Sequence, residues 1–225
     1  MLNFTHRPTG RRAGLALLAA ALLGHTSLAH AQEDRAALME AHRGGTLVLS
    51  AVAAAGTIDP MVNYTAQFWQ VFQMTYDGLL KFKQASRTEG FQIVPSLAEA
   101  LPEAENDGKT YVFKLRKGIK FSNGKELTAS DVVASFQRIF KISSPTSGSF
   151  YNGIVGADAC IAAPADCTLE GGVIGDDAAG TVTINLTQPD AEFFAKIAVP
   201  HASIVPAGTP ATDAAPVPCP APAPT

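Results

Sequence analysis

The sequence predicts a layered α/β fold from three patterns. These are a short β-branched run followed by an amphipathic helix, two later segments with period-two alternation, and a capping box opening a second amphipathic helix between them. The first strand is read at Thr46 to Val52, after Gly44 and Gly45, where an apolar run has the length and β-branching of a buried strand. From about Thr65 to Leu80, Phe68, Phe72, Thr75 and Leu79 recur on one helical stripe with Trp69 and Tyr76 on its flank, so a helix packed on that strand is expected. Leu79 to Phe82 reads as the start of a further strand. Tyr111, Phe113 and Leu115 alternate with Val112, Lys114 and Arg116, the pattern of a half-buried strand, and Ile119 and Phe121 continue it past Gly118. Asn123-Gly124 marks a turn, and Thr128 with Asp131 three residues on forms a capping box for a helix that buries Val132, Val133, Phe136, Ile139 and Phe140. Thr181 to Leu186 repeats the period-two pattern, and Asp190 is placed to cap a short helix over Ala191 to Ala198. From Pro200 onward the proline density reads as linker.

The amino terminus reads as an export signal. Arg7, Arg11 and Arg12 precede an apolar run from Ala13 to Leu23, and Ala29-His30-Ala31 supplies an A-x-A cleavage pattern, which places the cut after Ala31 and leaves a polar lead-in over 32–43. The residues after Arg11-Arg12 lack the bulky follow-up of the twin-arginine route and point to general secretion. Removing residues 1–31 takes away three of 17 basic residues and none of 20 acidic ones, so 14 against 20 leaves a formal charge of −6. Such a balance gives no pull toward nucleic acid. With 16% charged and 47% hydrophobic residues, the composition is globular. Export to an oxidising compartment and the short spacing of Cys160 and Cys167 predict a local disulfide, against the alternative of two free thiols, while Cys219 has no evident partner.

Catalytic and cofactor patterns are missing from the sequence. His42 and His201 are the only histidines after residue 31, far from the cysteines, so no metal site is expected. There is no G-x-S-x-G elbow and no phosphate-binding G-x-x-x-x-G-K-[ST] loop. Gly171 to Asp177 is glycine-rich, but it lacks a lysine and the aspartate spacing of a calcium loop, and a tight turn accounts for it. No catalytic residue, cofactor or enzymatic activity is expected.

Asp107 to Val133, reading DGKTYVFKLRKGIKFSNGKELTASDVV, closely resembles the signature of family 5 extracellular solute-binding proteins, a family of oligopeptide-, dipeptide- and nickel-binding components of ABC importers. Gly45-Thr46-Leu47, Thr57-Ile58-Asp59-Pro60, Tyr76 to Leu80, Val94 to Glu99 and Leu186 to Asp190 agree with it. The resemblance implies a periplasmic-binding-protein-like fold, class II of the cluster C type, in which two lobes close on a solute. It implies a monomeric periplasmic protein that captures a peptide or related small solute for a membrane permease. Residues 44–205 then form the N-terminal part of the solute-binding domain, with 44–82 as lobe I core, 83–200 as a β-rich subdomain and 206–225 as a Pro/Ala-rich linker or truncated end. The second lobe is expected to be missing from this chain, an N-terminal fragment. The alternative is a non-transporting fragment or stand-alone secreted interaction module. Gly124 and Asp131 are implied to be turn and cap residues rather than contacts. Solute contacts are implied at Asn63, Tyr64 and Ala66, after the Thr57 to Pro60 element, and near Ser149, at Phe150 and Tyr151. Tyr64 and Tyr151 fit cleft contact and core packing equally well.

Overall fold

The computed structural model describes residues 56–211 together with Ala37, Leu38, Glu40, Ala41 and Gly44. The signal segment, the Thr46 to Val52 strand, Cys219 and the proline-rich end past 211 lie outside the described residues. The chain divides into two units, Met1–Ser50 and Ala51–Thr225. In the first, Ala37, Leu38, Glu40 and Ala41 are helical. The remaining elements belong to the second.

Helix α1 spans Ala66–Thr75 and ends sooner than its periodicity predicts. Of the expected stripe only Phe72 is buried on the helix itself, because Leu79, also buried, lies beyond its end. Tyr76 turns extended, and residues 77–79 are claimed by long-range pairing: Ser96 and Ala98 N–H donate to Leu79 O, Leu97 N–H to Gly78 O, and Ile204 N–H to Asp77 O. Four such bonds between distant segments outweigh one more turn of helix. Strand β1, Leu80–Phe82, then pairs antiparallel with β2, Ile93–Pro95, through a 3₁₀ turn at Arg87–Phe91, so this pairing crosses the expected division at residue 82.

A four-stranded antiparallel sheet carries the rest. It consists of β3 (Ala104–Glu105), β4 (Thr110–Lys114), β5 (Val173–Asp176) and β6 (Thr181–Asn185), in the order β3-β4-β6-β5. Tyr111 pairs with Ile184 and Phe113 with Val182, so the alternation that the sequence predicts buries one continuous face. Ile119 and Phe121 do not prolong β4. After Gly118, in the left-handed region at φ 73°, the chain makes only an isolated bridge between Lys120 and Glu126 around the Asn123-Gly124 turn.

Helix α2, Ala129–Lys141, opens with the expected capping box and buries Val132, Phe136, Ile139 and Phe140, with Val133 half-buried. Its first turn lies so close to β5 that a Cβ at Gly175 would stand 3.0 Å from Ala129 O. Short helices α3 (Ser147–Phe150) and α4 (Ala157–Ala162) follow, and the Cys160–Cys167 disulfide ties α4 to the loop beyond it. Helix α5 covers Phe193–Ile197, shorter than predicted, with Asp190 Oδ1 accepting from Glu192 N–H at its entrance.

The linker reading fails for residues 200–205. Pro200–Ala202 form a 3₁₀ turn, with Pro200 at a position where its missing N–H is harmless. Residues 200–205 are all buried, and Ser135 Oγ is bonded to both Val205 N–H and Val205 O. Beyond them, Ala207 N–H donates to Asp131 Oδ1 and Arg138 Nε to Pro210 O, so this stretch is strapped along α2. One hydrophobic core runs from Met61 to Val205.

Candidate solute-binding surface

The loop Thr57 to Thr65 is built by its own polar side chains. Asp59 N–H donates to Thr57 Oγ1, and Met61 N–H to Asp59 Oδ1. Asn63 Nδ2 donates to Thr57 O, while Asn63 Oδ1 accepts from both Thr65 N–H and Thr65 Oγ1. Such side-chain to backbone bonds specify a turn where no regular ladder is available. The loop is then bolted to α2. Arg138 grips Asp59 bidentately, Nη2 to Oδ2 at 2.5 Å and Nη1 to Oδ1 at 3.2 Å, and Ser144 Oγ donates to Met61 O at 2.6 Å.

This frame sets out Tyr64, 55% exposed, and brings it to Phe150, its ring centroids 6.5 Å away. Two aromatic residues 86 positions apart in sequence thus share one surface. Ala66, exposed at the start of α1, lies on the same loop-to-helix junction. Asn63 and Tyr151 have interior positions instead. Asn63 is 6% exposed with its amide committed to the turn, and Tyr151 is 1% exposed with its hydroxyl donating to Lys196 O at 2.9 Å. Burial pushes the Tyr151 phenol far up, so it stays neutral.

Two further rings complete the cluster. Tyr64 lies 5.9 Å from Trp69 on α1 and 4.9 Å from His201 of the 3₁₀ turn, and Trp69 and His201 are 5.9 Å apart. Sequence reasoning put Trp69 on the flank of a helix and left His201 as an isolated histidine. Trp69 had a faint signal, standing five residues after Tyr64 across a loop-to-helix junction, whereas His201 had none, because its place depends on a chain return of more than a hundred residues. Burial drives the His201 pKa down to about 4, with the Asp59 carboxylate opposing.

Next to the loop, a cleft of about 210 Å³ is lined by Ile58, Tyr76, Val205 and Pro210, with the paired Asp59 and Arg138 at its wall. Burial first, and then the Asp59 charge, raise the Tyr76 phenol.

The sequence model of bacterial extracellular solute-binding proteins, family 5 Middle, matches residues 92–218, more than half of the chain. The chain belongs to this family. Among curated relatives of this family 5 protein, the dipeptide-binding protein of Escherichia coli is 36% identical over 139 residues, covering 58% of this chain and 24% of the relative. The di/tripeptide-binding protein 1 of Pseudomonas aeruginosa is 30% identical over 183 residues, covering 75% and 31%. Among solved structures, the Escherichia coli murein tripeptide binding protein MppA superposes with a TM-score of 0.56 at 28% identity, covering 66% of this chain and 28% of that one. The substrate-binding domain of an oligopeptide ABC transporter from Bacillus anthracis gives 0.57 at 27% identity, covering 66% and 27%. The family 5 chain therefore spans about a quarter to a third of the length of the relatives it matches. Its described residues form part of a lobe of the periplasmic-binding-protein fold.

Proposed function

We propose that this chain supplies part of the N-terminal lobe of a solute-binding component of a bacterial ABC importer, a non-enzymatic receptor that captures a peptide or related small solute and delivers it to a membrane permease. The observation that carries this reading is that the family match, residues 92–218, takes in most of the described residues 56–211, and that the matched relatives are named for dipeptide and di/tripeptide binding. A periplasmic location after cleavage at Ala31 belongs to the same reading. The contact surface we assign is Tyr64, Ala66 and Phe150, where aromatic area with a polar tip stands exposed above a loop fixed by Asp59, Asn63 and Arg138. Enclosure of a solute between two lobes works by differential affinity for open and closed forms, which asks for a rigid presenting surface and no covalent step.

Thermal unfolding of the exported chain with added di- and tripeptides tests this. A ligand at a hundred times its Kd adds about 2.7 kcal/mol, and the midpoint is expected to rise saturably. The rise is expected to shrink in Phe150→Ala. No shift at millimolar peptide would count against the proposal.

A further inference from the structure

Among the described residues, three buried polar side-chain atoms have no hydrogen-bond partner, and they sit on two neighbouring rings: Trp69 Nε1 and both nitrogens of His201. His201 is fully enclosed at 0% exposure. Each buried polar atom left unpaired costs about 1–3 kcal/mol, and native interiors leave few of them. A cluster of three on touching rings calls for a partner. The ring above them is Tyr64, more than half exposed and held by aromatic contacts worth about 0.5–1.5 kcal/mol each. Its backbone is fixed on either side by the Asn63–Thr65 hydrogen bonds, so the side chain can swing by rotation about χ1 while the loop stays in place.

We propose that Trp69 and His201 form the floor of a subsite for one uncharged peptide amide group, with the Tyr64 ring as its displaceable cover; this rests on the solute-binding reading above. The chemistry of the floor selects the group. Burial keeps His201 neutral at physiological pH, so the two rings offer two N–H donors and one bare nitrogen acceptor. A peptide unit carries the complement, a carbonyl oxygen with two lone pairs and one N–H. A carboxylate offers acceptors alone, and the charged group whose field reaches His201 is the Asp59 carboxylate, which repels it. An ammonium brings three donors to a single acceptor and must be stripped of water without a counter-ion. Displacing Tyr64 breaks three ring contacts, at about 0.5–1.5 kcal/mol each, and satisfies three orphaned atoms, at about 1–3 kcal/mol each, so the exchange favours the amide.

Trp69 is the one tryptophan of the chain, which makes its indole N–H a unique resonance. The ¹⁵N-labelled full chain is titrated with alanyl-alanine and with N-acetyl-alanine methylamide. Both are expected to move the indole cross-peak saturably, while acetate and methylammonium leave it in place. Trp69→Phe, which loses one hydrogen bond, is expected to weaken peptide binding about tenfold, and His201→Phe, which loses two, by more than that. If dipeptide binds with affinity unchanged in both variants and the indole peak stays still, the subsite is wrong and the solute-binding reading stands. If neither probe binds by thermal shift or by resonance, both fall. A long-lived water contact to the indole proton that persists with peptide saturating would also overturn the subsite.

Discussion

His201 is a histidine in the position of a core residue, and its titration follows from that. Its pKa is lowered to about 4 by burial, against an ordinary 6.5, so the unfolded chain binds a proton between those values that the folded chain refuses. Folding stability from this group is complete above about pH 6.5, falls as pH drops toward about 4 and levels off below. The span corresponds to something on the order of 3 kcal/mol. Urea unfolding measured from pH 7.5 to 4 is expected to show this slope, and His201→Phe, which replaces two orphaned nitrogens with carbon, is expected to flatten it without loss of stability at pH 7. An unchanged slope in the variant would assign the acid sensitivity elsewhere.

At the level of elements, helix α2 with its strap is the member on which the others converge. Asp131 is wholly buried, and its carboxylate accepts from Thr128 N–H, Thr128 Oγ1, Lys125 Nζ and Ala207 N–H. Burial alone would raise its pKa, but the Lys125 ammonium and these N–H and O–H donors outweigh burial and hold it below the usual carboxylate value. One residue thus caps the helix, fixes the signature turn and fastens the 206–210 strap. Asp131→Ala is expected to cost about 3 kcal/mol in chemical denaturation, more than an exposed cap, because it strands three donors as well as an ammonium. A loss under 1 kcal/mol would mean that the strap contributes nothing. The capping box was legible in the sequence as Thr128 and Asp131. The further bond to Ala207 was not, since nothing local marks a residue 76 positions away as a partner.

For the molecule as a whole, the outward face of α1 leaves Val71 at 40% and Met74 at 61% exposed, and Phe91 stands 78% exposed on the β1–β2 turn. Apolar area of this kind drives association. The chain is expected to self-associate at tens of micromolar in sedimentation velocity, and Val71→Ser with Met74→Ser to shift it toward monomer; a purely monomeric parent protein would remove the argument. The sequence by itself determined the sheet's buried face, the capped helix and the family, because period-two alternation, capping and the 107–133 signature are written within a few residues of one another. Only the tertiary structure decided where α1 ends, that residues 200–205 belong to the core, and that Tyr64, Trp69, Phe150 and His201 meet. Those outcomes depend on hydrogen bonds and ring contacts between distant segments, where pairing energy overrides local propensity and leaves no periodic mark.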